Sequence, residues 1–257
     1  MSKIRIIIFK NLFKISSICL LKIKMTSVTP PNKKTMAIII PTRERSHKIK
    51  KLHEQWFSVT DPSIHTDCHI VLDNDNESTY ERLPGFIYHI VDTGGKKGVV
   101  IPLNKIAIEI ANDYEYLGFI GDDHFPRTKN WNTLMYNILI KNGKFSMVYG
   151  NDLLQKEHLC THIVMDSQYI IQLGYFAHPS FLHVYCDDIW MYMGKRKNNI
   201  HYLPDVIIEH LHYAVQKSPT DNMYMINNSR ELYRSSEIIY KNLINSDEFN
   251  STIDKLN

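Results

Sequence analysis

The stretch Tyr116-Leu-Gly-Phe-Ile-Gly-Asp-Asp-His124 decides how the rest of the chain is read. Residues 116–120 have the length and apolar character of a buried strand, and Gly121 permits a sharp exit into two adjacent carboxylates. Carboxylates side by side at a strand end repel each other and are costly to desolvate. A hard divalent cation such as Mg2+ or Mn2+ resolves that conflict, because it prefers carboxylate oxygen. An ion so held can clamp a diphosphate and neutralise one as it departs. The same pair also suits an exposed acidic turn, and its neighbours along the chain tell the two apart.

Upstream, Thr29-Pro-Pro-Asn-Lys-Lys-Thr35 is a linker by its prolines and polarity. A short β-branched run over 36–40 then predicts a first strand ended by Pro41-Thr42-Arg43. Ile49, Leu52, Trp56 and Val59 recur at helical spacing and predict a helix over 47–59. A second strand is expected over 69–72, closed by Asp73-Asn-Asp-Asn-Glu77, and a third over 86–91, followed by Asp92-Thr-Gly-Gly-Lys-Lys-Gly98. A helix over 103–112 leads into the 116–120 strand. Strands alternating with helices imply a mainly parallel sheet flanked by helices, an α/β fold whose ligands sit beyond the carboxyl ends of the strands. Four consecutive ends carry Thr42-Arg43, Asp73-Asn74-Asp75, Lys96-Lys97 and Asp122-Asp123.

The second half is less regular. It predicts a strand over 145–149, helices over 166–173 and 189–195, and a strand over 202–208 that runs on into Glu209-His-Leu-His-Tyr213. From about Ser218 the chain is polar and Asn-rich, with an amphipathic helix expected over 231–243. The expected organisation is a basic extension over 1–35, a catalytic domain over 36–215 and a helical C-terminal extension over 216–257.

At 257 residues, with 44% hydrophobic and 22% charged residues, the composition is that of an ordinary globular protein. The net charge of +3 is unevenly placed. Eight of the 30 Lys/Arg fall in residues 1–35 with no acid, so the remainder carries 22 basic against 27 acidic residues, a balance of −5. An acidic body argues against a nucleic-acid partner. Cys19, Cys68, Cys160 and Cys186 lack metal-site or disulfide spacing, which fits a reducing cytoplasm. The longest uncharged run of the extension that is mainly apolar, 15–21, is far short of the ~20 residues that span a bilayer. A basic amphipathic stretch can rest on an anionic membrane; the plainer expectation is a disordered extension, or a folded protein beginning at Met36.

Ile38-Ile-Ile-Pro-Thr-Arg43, Ile70-Val-Leu-Asp-Asn-Asp75, Gly121-Asp-Asp-His124, Leu173-Gly-Tyr-Phe176 and Tyr185-Cys-Asp-Asp-Ile189 together resemble the family-2-like glycosyltransferases with a GT-A fold. The resemblance covers roughly residues 36–215, in the order the family uses. It implies that the first loop (Pro41, Thr42, Arg43) and the second strand end (Asp73, Asp75) hold the nucleotide. It also implies that the Asp-rich turn binds ribose and metal, and that Asp187-Asp188 supplies the catalytic base. Two departures stand out. The family's turn is Asp-x-Asp, whereas Gly121 occupies the first position here; Asp123 is therefore taken as the metal ligand and Asp122 as its neighbour on ribose or a metal-bound water. The later pair is usually Glu-Asp, so the first carboxylate here is one methylene shorter.

On residue chemistry, Arg43 offers a fixed fork of donors to phosphate oxygens, though Arg43-Glu44-Arg45 also reads as a surface run. Asp73 could accept the imino hydrogen of uracil. Lys97 and Asn104 are expected near the nucleotide. Asp188 is expected to take the acceptor hydroxyl's proton, its alternative role being a helix cap. His210 and His212 share one face of a strand; either can complete a metal shell, and His210 is preferred. Trp131 and Trp190 are expected to pack the core. The function implied is metal-dependent transfer, preferably inverting, of a sugar from a UDP- or GDP-type donor to a hydroxyl acceptor. Its rivals are a nucleotidyltransferase or polymerase palm, where Gly-Asp-Asp also carries metals, and a non-catalytic nucleotide-sugar-binding protein.

Overall fold

A computed structural model describes residues 33–256, so all but the last three residues of the basic extension over 1–35 lie outside the described residues. The organising element is strand β1 (Lys34–Thr42), in which Met36, Ala37, Ile38, Ile39 and Ile40 are all fully buried. A strand covered on both faces reads as a continuous apolar run, and its successive side chains serve opposite faces. Ala37 and Ile39 enter one core cluster; Met36, Ile38 and Ile40 enter the other. Each such aliphatic side chain contributes roughly 1.5–3 kcal/mol by leaving water, so this run alone anchors two cores.

From β1 the chain runs through α1 (Ser46–Val59), β2 (Thr66–Asp73), β3 (Phe86–Val91), α2 (Val100–Ile110) and β4 (Tyr114–Phe119). These strands form a parallel block in the order β3-β2-β1-β4. Helix α1 covers one face through Ile49, Leu52 and Trp56, and α2 covers the other through Leu103 and Ile106. Because the chain builds outward from β1 to β3 and then returns to β1's other side, the order switches between β1 and β4. A crevice opens beyond the carboxyl ends of strands at such a point.

The rest of the sheet continues β7-β6-β8-β5, made from β5 (His124–Pro126), β6 (Met147–Asn151), β7 (Ile163–Asp166) and β8 (Ile200–His210). Strand β7 lies antiparallel between β4 and β6, and β5 antiparallel to β8, so six of the eight strands point one way. The mainly parallel α/β architecture expected from the sequence is present. Helix α3 (Trp131–Asn142) joins α1 on its face, whereas α4 (Gln168–Leu173), α5 (Cys186–Arg196) and α8 (Asp247–Asp254) join α2. Helices α6 (Asn222–Asn227) and α7 (Arg230–Ile244) precede α8. Trp131 and Trp190 are buried, as expected. No helix among the described residues is long and apolar enough to cross a membrane.

Gly118 and Gly121 are set by space. A Cβ on Gly118 would stand 2.5 Å from Ile38 Cδ1, and one on Gly121 would stand 2.7 Å from His124 Nδ1. Gly121 thus leaves room for the imidazole that follows the acidic pair.

Candidate active site

The switch between β1 and β4 holds a cavity of about 410 Å3. Strand β1 ends in Thr42, whose hydroxyl donates to Asp122 Oδ2 at 2.8 Å and so ties the two strand ends together. The turn closes with His124 N donating to Gly121 O at 3.0 Å, and β5 then aligns His124 directly across from His210 on β8. That register stacks the two imidazoles with ring centroids 3.9 Å apart. Asp123 Oδ1 faces both, 3.2 Å from His124 Nδ1 and 3.5 Å from His210 Nε2. One ligand atom from each of Asp123, His124 and His210 lies within 4.8 Å of the others, so these three form a group that could hold a metal ion.

Buried carboxylates require compensation. Arg45 supplies much of it: one guanidinium nitrogen donates to Asp122 Oδ1 at 2.8 Å, while the remaining two engage both oxygens of Asp221 at 2.8 and 2.9 Å. Tyr224, in the first turn of α6, donates a short hydrogen bond to Asp123 Oδ2 and also accepts from Lys48 Nζ at 3.0 Å. The guanidinium of Arg45 lies over the Tyr224 ring, 4.1 Å from its centroid. The two adjacent acids diverge as a result. Burial, reinforced by its neighbour's charge, raises Asp122 above the ordinary carboxyl range despite Arg45. Burial also pushes Asp123 up, but the hydrogen bonds from His124 and His210 outweigh it and hold this carboxyl well below that range. Burial, aided by His210, brings His124 down to about 4, so its ring is neutral near pH 7.

Asp73, which lines the cavity, accepts from Arg43 Nη1 through Oδ2. Its Oδ1 is buried and has no hydrogen-bond partner among the described residues. Asp187 and Asp188, which line the same cavity, occupy the first turn of α5. Burial first, and Asp188 second, raise Asp187 to about 7; burial also raises Asp188. The N-cap of α5 is Tyr185, not Asp188.

Of the residues singled out in the sequence, Pro41, Thr42, Arg43, Asp73, Asp122, Asp123, Asp187, Asp188 and His210 share this one cavity wall. Three do not reach it. Asn104 requires correction: its carboxamide accepts from the backbone of Phe176 and Ala177 at 2.9 and 2.8 Å and donates to Ala177 O at 2.7 Å, leaving it a bracket for that loop. Asp75 is half exposed and paired with Arg43, so Arg43 is held by two carboxylates rather than free for phosphate. Lys97 is off the wall, where its loop contributes Gly98 and Val99 instead.

Sequence reading missed Arg45, His124, Asp221 and Tyr224. His124 had a signal, since it follows the acidic pair directly. Asp221 and Tyr224 come from a polar tail, and only the folded chain carries them to residues about 100–176 positions away.

A parallel block, a strand-order switch and an acidic turn at that switch define a GT-A-type α/β fold. Among solved structures the chain is similar to Staphylococcus aureus TarS 1-349 in complex with UDP-GlcNAc, at a TM-score of 0.58 and 12% identity over 86% of this chain and 70% of that one. TarS 1-349 aligns at 0.53 and 13% identity over 86% and 69%. A longer TarS structure aligns at 0.55 and 11% identity, over 86% of this chain but only 42% of that one. No protein-family profile and no curated protein matches the sequence. At this identity the likeness establishes the fold, and the fold expected from the sequence is the one present.

Proposed function

We propose that this chain is a metal-dependent glycosyltransferase that takes a UDP- or GDP-type sugar donor and passes the sugar to a hydroxyl acceptor with inversion. The observation that carries the proposal is that one cavity is lined by Asp73 with its unpartnered oxygen, by the Asp123-His124-His210 group and by the Asp187-Asp188 pair. A buried acceptor without a partner discriminates strongly for a ligand that brings a donor. The imino hydrogen of uracil or guanine is such a donor. Thr42 and Asp122 line the same cavity and would meet the ribose hydroxyls.

The residues present fit a divalent cation: one carboxylate and two imidazoles converge, with His124 Nδ1 and His210 Nε2 both facing Asp123 Oδ1. Two nitrogen ligands favour Mn2+ over Mg2+. Such an ion would neutralise the diphosphate leaving group. The chain's own chemistry lies at α5. Asp188 takes the proton of the acceptor hydroxyl as that oxygen bonds to the anomeric carbon, and the sugar–phosphate C–O bond breaks with its electron pair leaving on the diphosphate. A carboxyl with a raised pKa is a better base near neutral pH.

A polymerase-like reading needs a second metal carboxylate on a neighbouring strand. The carboxylate on β7 is Asp166, which pairs in register with Tyr116 at the opposite end of β4 from Asp122. It is engaged instead by the backbone N–H groups of Phe145 and Gln168.

The test is a panel of UDP- and GDP-sugars incubated with the protein and Mn2+, with nucleoside diphosphate release followed by NMR. Release from at least one donor, abolished by EDTA, is the expected result. Nucleotide binding without release from any donor would make the chain a binding protein and overturn the enzymatic assignment.

A further inference from the structure

Asp188 stands on the wall of two cavities. Beyond the one already described, a second space of about 440 Å3 is lined by Leu159, Asp188, Tyr192, Lys195 and Tyr240 among others. Leu159 and Asp188 belong to both, so the two spaces adjoin at these residues.

Three tyrosine rings run along this junction. Tyr233 and Tyr240 stand seven residues apart on α7, which places them on one face of that helix. Tyr185 contacts both, with centroids 6.3 Å from Tyr233 and 5.4 Å from Tyr240. Tyr233 lines the first cavity and is 44% exposed; Tyr240 lines the second. Tyr185 is only half-buried, yet its φ is 71°, in the left-handed region that a side chain with a Cβ adopts at a cost. Such backbone clusters at ligand-binding sites, and here it immediately precedes the Asp187-Asp188 turn.

We propose that Tyr185, Tyr233 and Tyr240 form the platform on which the acceptor lies, and that the acceptor is a saccharide chain. A pyranose presents an apolar C–H face that packs against an aromatic ring, while its rim of hydroxyls remains free. Tyrosine suits this task because it combines a large apolar body with a polar tip. A row of rings leading to the proposed base holds successive sugars and delivers one hydroxyl to Asp188. The catalytic meaning of the platform rests on the glycosyl-transfer reading; saccharide binding by the platform does not.

Saturation-transfer NMR on the full chain tests this, with chitohexaose, cellohexaose and maltohexaose as probes and without nucleotide. Ring protons of at least one probe should receive saturation from wild type. That signal should fall at least fivefold in Tyr240→Ala and Tyr233→Ala, and return in Tyr240→Trp, with thermal unfolding still cooperative in every variant. Absence of saturation for all three probes, or equal saturation in both alanine variants, overturns the platform. UDP and Mn2+ titrated into the same samples separate the two proposals. Saccharide contact without nucleotide binding defeats the transfer reading and keeps the platform, whereas nucleotide binding without saccharide contact does the reverse.

Discussion

The two halves of the sheet reach the same cavity by different means. In β3-β2-β1-β4, parallel strands linked through α1 and α2 end at one edge by construction, so Thr42, Asp73 and Asp122 arrive there from their own strand ends. In β7-β6-β8-β5, the two outer strands run against the parallel pair β6 and β8, and the residues that reach the cavity come from a strand terminus (His210), a helix start (Asp187, Asp188) and a six-residue helix (Tyr224). The repeating half supplies the proposed nucleotide contacts. The irregular half supplies imidazole, the candidate base and the hydroxyl that holds Asp123. Binding and chemistry should therefore be separable by mutation.

The largest effect should come from the irregular half. Asp188→Asn keeps size and is expected to lower transfer by ~10^2–10^4 while leaving donor affinity unchanged, as removal of a general base does. Steady-state kinetics alongside nucleotide titration would show it. Normal transfer would shift the base to Asp187, and weakened donor binding with near-normal turnover would erase the division between the halves.

A smaller and opposite pattern should come from the regular half. Asp73→Ala removes the unpartnered acceptor at the nucleoside end, so UDP or GDP affinity should fall roughly 10–100-fold, the scale set by losing one buried polar contact. Inorganic pyrophosphate with Mn2+ should bind as before. Equal losses for nucleotide and pyrophosphate would mean that Asp73 acts through Arg43 on the whole site rather than on the base.

The smallest effect concerns stability. Asp187 is raised to about 7, so the folded state holds its proton more tightly than the unfolded chain. The group accordingly favours folding below an unfolded value near 3.8, and that contribution is lost as pH rises through about 7. Asp187→Asn should raise the unfolding midpoint at pH 8 and leave it nearly unchanged at pH 4. Its size should be ~1–3 kcal/mol, less than the full shift implies because the carboxyl is partly solvated. Equal shifts in thermal melts at both pH values would contradict the burial account.

The same contrast explains what was legible in the sequence. Strands 36–40, 69–72 and 86–91 lie within β1 to β3 and 116–120 overlaps β4 up to Phe119, because strands of a covered parallel sheet leave apolar runs, and the acidic turn followed from the last of them. Strands β5 and β7 were missed because three and four residues carry no period. Helix α3 was missed although Trp131 was placed in the core. Asn104 looked like a nucleotide contact on position alone, yet its amide closes a loop 72 residues downstream. Arg45 was visible only as part of a charged run. Its partners Asp122 and Asp221 are 77 and 176 residues away, and no local pattern encodes pairings of that range.

The central claim is that Asp123, with His124 and His210, makes nucleotide binding depend on a divalent ion. Calorimetric titration of UDP and GDP into wild type and Asp123→Asn, with and without Mn2+, tests it most directly. Wild type should bind at least one of the two nucleotides only when Mn2+ is present, and Asp123→Asn should lose that binding with its thermal unfolding still cooperative, because an amide cannot compensate a divalent charge. Affinity that is unchanged by the substitution, or equal with and without Mn2+, would contradict the account.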